Sequence, residues 1–479
     1  MKLRWNRIKR LVQAAPLVLV SACAVGPDYV KPSVETPAAF KEQGAWKIAQ
    51  PADLGIPQKW WALYQDPLLN SLEEQVNISN QTLIQAKAQY RQARALVQGA
   101  RAAYFPTVSA NVSHTRSGGP ASSGGGAGTS NLITVDASWE PDVWGRVGRS
   151  VESSQASAQA SAALVQATRL STQAQLAQDY FQLRDLDADR QLYDKTVADY
   201  AKSLQLTQNQ YAAGIVPKEN VVLAQTQLKT TEAQAIDFNV LRAQMEHAIA
   251  LLVGQPASTF SIAPAFFNTA LPVLPLGLPS ALLERRPDIA NAERLMAAAN
   301  AQIGVAKAAY FPSLTVAASG GFQSSSLANW ISLPNRLWSV GPALAQTLFD
   351  GGARRTQTDS AIAAYDASVA GYRQTVLTGF QEVEDNVAAL RILEQEALKQ
   401  DEAVTLSQRS VELTINQYKA GIVNYLDVIT VETTALSNER AAVDLLNRRL
   451  SASVLLIKAL GGGWNAAQLP DAAASTKNQ

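Results

Sequence analysis

Two periodicities alternate along this chain, and the whole alternation is written twice. From Leu68 to Ala103 the apolar positions follow a helical period, which stops before Pro106 because the residue preceding a proline is held extended. Residues 107–116 and 132–139 then alternate apolar and polar, flanking a Gly/Ser-rich stretch from Ser117 to Asn131, so they read as a β-hairpin within 107–140. Residues 150–212 contain no proline or glycine and are rich in Ala, Gln, Leu and Ser. At 1.5 Å per residue such a helix reaches roughly 95 Å, and a second helix over 217–253 returns along it. The same order follows again: a helical segment at 280–308, strands at 313–322 and 337–349, a long helix at 353–419 and a return helix at 425–460.

Fixed landmarks tie the two passages together. The QY-x-AGIV element at Gln210–Val216 recurs 207 residues later at Gln417–Val423. Ala103-Tyr-Phe-Pro106 returns as Ala309-Tyr-Phe-Pro312, and Val253-Gly254 as Leu460-Gly461. Repeats of roughly 200 residues are domain-sized, far longer than a solenoid unit, so two similar halves lie side by side in one body. The division is therefore a first repeat at 68–260 with its helical hairpin at 150–253, a linker at 261–279, and a second repeat at 280–463. In the second repeat the β-hairpin occupies 313–349 and the helical hairpin 353–460. A tail at 464–479 follows.

The beginning of the chain carries an address. Lys2, Arg4, Arg7, Lys9 and Arg10 precede an apolar run from Leu11 to Val20, too short to cross a bilayer, and 1–22 reads as a signal peptide. Val20-Ser-Ala-Cys23 resembles a bacterial lipobox, which makes Cys23 the lipid-bearing first residue of the mature chain. It is the sole cysteine, so no disulfide forms. Residues 23–67 hold Pro27, Pro32, Pro37, Pro51, Pro57 and Pro67 and read as an irregular arm.

Composition narrows what remains. With 41 basic against 40 acidic side chains there is no positive field for nucleic acid. No apolar run after the signal peptide is long enough for a spanning helix, yet alternating strands of about ten residues suit a membrane β-barrel. Four strands close no barrel and would leave backbone edges in lipid, so several chains must share one. Three copies give twelve strands and bundle twelve helices into a tube roughly 100 Å long.

Seven elements in order resemble the outer-membrane factors of tripartite efflux pumps, the TolC/OprM-like and NodT-type lipoproteins. They are Cys23-Ala-Val-Gly-Pro-Asp-Tyr29, Trp60-Trp-Ala-Leu-Tyr-Gln-Asp-Pro67, Arg286-Pro-Asp-Ile289, both YFP elements, Leu348-Phe-Asp-Gly-Gly352, Gln381-Glu-Val-Glu-Asp385 and both AGIV tips. The resemblance implies a mostly α protein with a membrane β-barrel: a homotrimer whose twelve-stranded barrel lies in the outer membrane and continues as an α-helical periplasmic tunnel. It further implies a passive duct for small molecules, partnered by a periplasmic membrane-fusion adaptor and an inner-membrane, proton-driven transporter of RND type. A type I protein-secretion duct and a non-channel coiled-coil envelope lipoprotein are the alternatives.

Chemistry is absent by motif. His114 and His247 are isolated, no metal-ligand or triad spacing exists, and the glycines of 118–128 lack the Lys-Ser/Thr of a phosphate loop, so neither catalysis, metal nor cofactor is expected beyond the lipid on Cys23. Candidate functional residues sit instead where the long helices reverse. Gly214, Ile215, Val216, Gly421, Ile422 and Val423 are small or apolar and read both as turns and as an adaptor-docking surface. Asp427 is the leading gate residue, since threefold symmetry would bring three carboxylates together as a ring favouring cations; it also suits a capping pair with Asn424. Asn220 holds the equivalent first-half position, so the ring has three members. Tyr211 and Tyr418 are candidate hydrogen-bonding restraints between neighbouring helix pairs, and ordinary interhelical packing is the alternative for each. A second acid common in the family three residues past Asp427 is replaced by Thr430, and a basic latch position by Val423.

Overall fold

The computed structural model describes residues 25–43, 56–118, 127–265, 269–272 and 281–470. Cys23 and the signal peptide lie outside the described residues, as do parts of the first strand loop, the linker and the tail. In chain order the main elements are helices α1 (Pro67–Ser79) and α2 (Gln81–Ala102), strands β1 (Thr107–Ser117) and β2 (Gly128–Trp139), and helices α3 (Arg146–Ala212) and α4 (Lys218–Leu252). The second repeat supplies α5 (Leu282–Arg285), α6 (Pro287–Ala308), β3 (Ser313–Ser324), β4 (Arg336–Ala345), α7 (Ala353–Lys419) and α8 (Tyr425–Ala459).

The expected single helix at 68–103 is broken in two at Asn80. Its ψ of 121° is extended, its Oδ1 caps α2 by accepting from the Leu83 N–H at 2.9 Å, and its Nδ2 donates to the Leu252 carbonyl at 2.8 Å. The second repeat breaks at the matching place for another reason: Arg286 precedes Pro287 and is extended, so α5 and α6 cannot merge. There the Arg286 guanidinium donates to the Ala459 carbonyl at 3.1 Å. Leu252 and Ala459 are equivalent, so each return helix ends on a carbonyl held by the residue at the break, an amide in one repeat and a guanidinium in the other. Gly254 and Gly461 follow with φ of +71° and +94°, and an added Cβ would lie 2.3 Å and 2.0 Å from the carbonyl oxygens of Ser79 and Arg285. Only glycine fits there.

Two helices of 67 residues, each about 100 Å long, form the spine. Along half its length α3 packs on the return helix α4, and along the other half on α2 and α6; α7 likewise packs on α8 and then α6. Glycine begins both spines. Gly145 and Gly352 are left-handed N-caps without side chains, and nearby carboxylates take over the capping: Asp142 accepts from the Val147 and Gly148 N–H groups, and Asp350 from those of Gly352 and Arg354. The largest core gathers where the arm, α1, α3, α7 and α8 meet, around Trp60, Tyr64, Tyr180, Phe181, Tyr372 and Val383. The described part of the arm is irregular apart from two short 3-10 turns, Lys41–Gln43 and Trp60–Tyr64, and it crosses to the second repeat, where Glu384 accepts from the Lys41 and Glu42 N–H groups and Glu293 from the Tyr29 hydroxyl.

All four strands form one antiparallel sheet in the order β1-β2-β3-β4. Its register sorts side chains by chemistry. Val112, Ile133 and Phe322 align in one row, and Val135, Gly320 and Trp338 in the next row on the same face. On the opposite face Asn111, Thr134, Asp136 and Ser319 are neighbours, and the Asp136 carboxylate accepts from all three others. One face is apolar and the other polar, which is what a strand row between lipid and a wet lumen requires. The last strand ends at Ala345, short of the expected 349; Leu348 and Phe349 lie beyond it, 90% and 89% exposed. Pro342 lies opposite Val316 on β4, the last strand of the sheet within the chain. Among the described residues no helix is long and apolar enough to cross a membrane.

Candidate functional site

Both spines reverse through the same backbone motif. At the first tip the Gly214 N–H donates to the Tyr211 carbonyl and the Ile215 N–H to that of Gln210; at the second, Gly421 donates to Tyr418 and Ile422 to Gln417. This is the paired Schellman pattern, and it needs the left-handed φ of +73° and +74° found at the two glycines. The motif normally tucks its following apolar residue against the helix end. Here Ile215 and Ile422 are 65% and 73% exposed. Val216 and Val423 are half-buried, and Val423 packs on the cluster of Ala224, Tyr418, Tyr425 and Val428.

Past the second tip Asn424 and Asp427 form a reciprocal capping box, each side chain accepting the other's N–H at 3.1 Å. The Asp427 carboxylate remains exposed. Asn220, its first-half counterpart, occupies the first turn of α4 half-buried, its N–H bound to the Pro217 carbonyl, with no side-chain cap at that helix end. The two tyrosines part company. Tyr418 is 3% exposed, shares a hydrogen bond of 3.1 Å with the Thr207 hydroxyl of α3 and stacks obliquely on Tyr425 at 5.5 Å. Tyr211 faces outward, 46% exposed. Tyr418 thus ties the second repeat to the first, and burial pushes its phenol upward from its ordinary pKa.

Behind the second tip lies a group the sequence reading missed. Glu432 is 7% exposed, with one carboxylate oxygen accepting from the Ser203 hydroxyl at 3.1 Å and the other without a described partner. The hydroxyl of Tyr425, also buried, is unpartnered as well. Burial first, then the charge of Asp199, pushes the Glu432 carboxyl up to about 7, against the lowering pull of Ser203. It lines a cavity of about 600 Å³ between α3, α7 and α8, beside Lys195, Lys202 and Lys419. The signal was readable: Tyr425, Val428, Glu432 and Ala435 make one buried stripe at helical spacing, with a single acid in it.

Comparison with known proteins fits this geometry. The family model for outer membrane efflux proteins matches residues 72–255 and again 278–462. The chain belongs to the outer membrane efflux protein family. The paired match follows the duplication, one match per repeat. Among relatives of this family member, the pyoverdine export outer membrane protein OpmQ of Pseudomonas aeruginosa is 30% identical, with 95% of this chain and 97% of that protein covered. The probable efflux pump outer membrane protein TtgC of Pseudomonas putida is 29% identical over 94% and 95%. The solved outer-membrane channel OprN superposes with a TM-score of 0.86 at 29% identity, covering 92% of this chain and all of that one. The protein is an outer-membrane efflux channel whose sheet is a portion of a β-barrel and whose helices extend into the periplasm. His114, bound to Asn131 on the sheet, and His247, exposed on α4, stand apart from the tips.

Proposed function

We propose that three copies of this chain close a twelve-stranded barrel and form the passive exit duct of an RND-type tripartite pump for small molecules. The supporting observation is the four-stranded sheet, apolar on one face and polar on the other, which leaves the outer edges of β1 and β4 without a partner among the described residues and runs directly into two helical hairpins about 100 Å long. A periplasmic adaptor meets the exposed tips, and a proton-driven inner-membrane transporter supplies the energy. A type I secretion duct shares this architecture, and the transporter that copurifies with the channel distinguishes the two. In planar bilayers the reconstituted protein gives discrete conductance steps; a protein that inserts without conducting is a tether instead.

In this reading Asp427 lines the periplasmic constriction as a ring of three carboxylates. Asp427→Asn removes the charge, and the cation-to-anion permeability ratio falls by roughly twofold or more. The capping contribution it weakens is only about 0.3–1 kcal/mol, so the trimer persists. Unchanged selectivity in an intact trimer leaves Asp427 as a helix cap alone. Cys23 is the lipid-bearing residue in the same reading. Cys23→Ser abolishes palmitate labelling and leaves unprocessed precursor, while the barrel still inserts, because an acyl anchor adds to barrel insertion. Acylation that survives the substitution removes the lipoprotein assignment.

A further inference from the structure

Charge on the sheet is sorted by face. The carboxylate of the sheet, Asp136, points to the polar side, where Asn111, Thr134 and Ser319 bind it. Register puts the cations on the other side: Arg336 shares a row with Phe322, Ile133 and Val112, and Arg116 lies two alternations further out along β1 on that same face. Among the described residues neither guanidinium has an acidic partner. This is the apolar face, and a free arginine there is costly unless it meets an anion at the membrane surface.

Beside Arg336 the face is not flat. Gly320 falls between Val135 and Trp338 in its row, and the missing side chain leaves a depression of about 510 Å³ walled by Ile133, Val135, Phe322 and Trp338 and overhung by Ile331 from the β3–β4 loop. Arg336 lines it too. The end of the sheet nearest this loop is the one remote from the helices, hence the half in the outer leaflet.

We propose that this depression binds one acyl chain of a phosphorylated outer-leaflet glycolipid while Arg336 holds its phosphate. The apolar walls match the chain, and the unpaired guanidinium matches the anion with two parallel donors. A position without Cβ makes the depth, and nothing lies within 4 Å of where a Cβ would be, so the groove can be filled without disturbing the sheet. The inference rests on the barrel reading for its placement in lipid, and conductance tests that reading separately.

The test is native mass spectrometry of channel reconstituted with an equal mixture of lipid A and phosphatidylglycerol. The wild-type assembly retains lipid A in preference; Arg336→Gln lowers its retention roughly tenfold, the size of one charged hydrogen-bonded contact, and Gly320→Leu, which fills the space of the acyl chain, lowers it by a similar factor. Both variants conduct like wild type. Should Gly320→Leu fail to assemble, Arg336→Gln decides alone. Equal retention of lipid A by wild type and Arg336→Gln overturns the site, and so does equal retention of phosphatidylglycerol and lipid A by the wild type, which would mean an unselective annular lipid.

Discussion

With aspartate in place of both Ile215 and Ile422, the channel reaches the outer membrane as a trimer but no longer supports efflux. Each Schellman turn is held by backbone hydrogen bonds and a glycine with positive φ, and none of these involves the isoleucine side chain. With 65% and 73% of their surfaces open, the two side chains contribute little to the fold of the chain. An exposed apolar group just past a turn that usually buries it is suited to a partner. Placing a carboxylate there forces a charge into an apolar contact, and at roughly 2 kcal/mol per contact the adaptor's affinity falls about thirtyfold for each tip engaged. The six tips of a trimer multiply that loss, so drug accumulation in cells matches a strain lacking the channel. Heat-resistant trimers on gels check assembly. Loss of the trimer itself would assign the isoleucines to folding, and retained efflux would remove the tips from the docking surface.

The helix contact around Glu432 weakens as pH rises toward neutrality. Its carboxyl is raised to about 7 in the folded chain by burial, so the folded state binds a proton that the unfolded chain has released. A raised acid contributes fully below its ordinary value, and the contribution is lost as pH climbs through about 7. The loss amounts to roughly 3 kcal/mol per chain. The facing groups are Asp199, Tyr200 and Ser203 on α3, Tyr425 on its own helix α8, and Lys195, Lys202, Lys419 and Glu439 around the cavity. Glu432→Gln stays neutral throughout. Its melting midpoint therefore exceeds that of wild type by several degrees at about pH 8 and by little at about pH 5. A gap between the two proteins that is the same at both pH values would show that Glu432 does not titrate in this range.

Local chemistry was enough to place the long elements. The second spine runs from Ala353 to Lys419 because helix formers without proline carry the helix through the isolated Gly371 and Gly379, and it ends where Gly421 takes a left-handed conformation. Both tips and both YFP junctions were legible for the same reason: glycine and proline act on their own neighbours. The break at Asn80 was not. Its amide must choose between continuing a helix and capping the next one, and the choice is settled by the Leu252 carbonyl, 172 residues away in sequence.

The duplicated tyrosines separate the two kinds of information most clearly. Sequence alone determined that Tyr211 and Tyr418 precede identical turns, since the QY-x-AGIV letters and their backbone demands are the same. Packing of α7 and α8 against α3 alone decided that Tyr418 is buried on Thr207 while Tyr211 faces outward, and it likewise enclosed Glu432 on a stripe of apolar neighbours. Turn geometry is encoded by residues in contact along the chain, whereas burial and the ionisation it shifts depend on which distant helix covers each face.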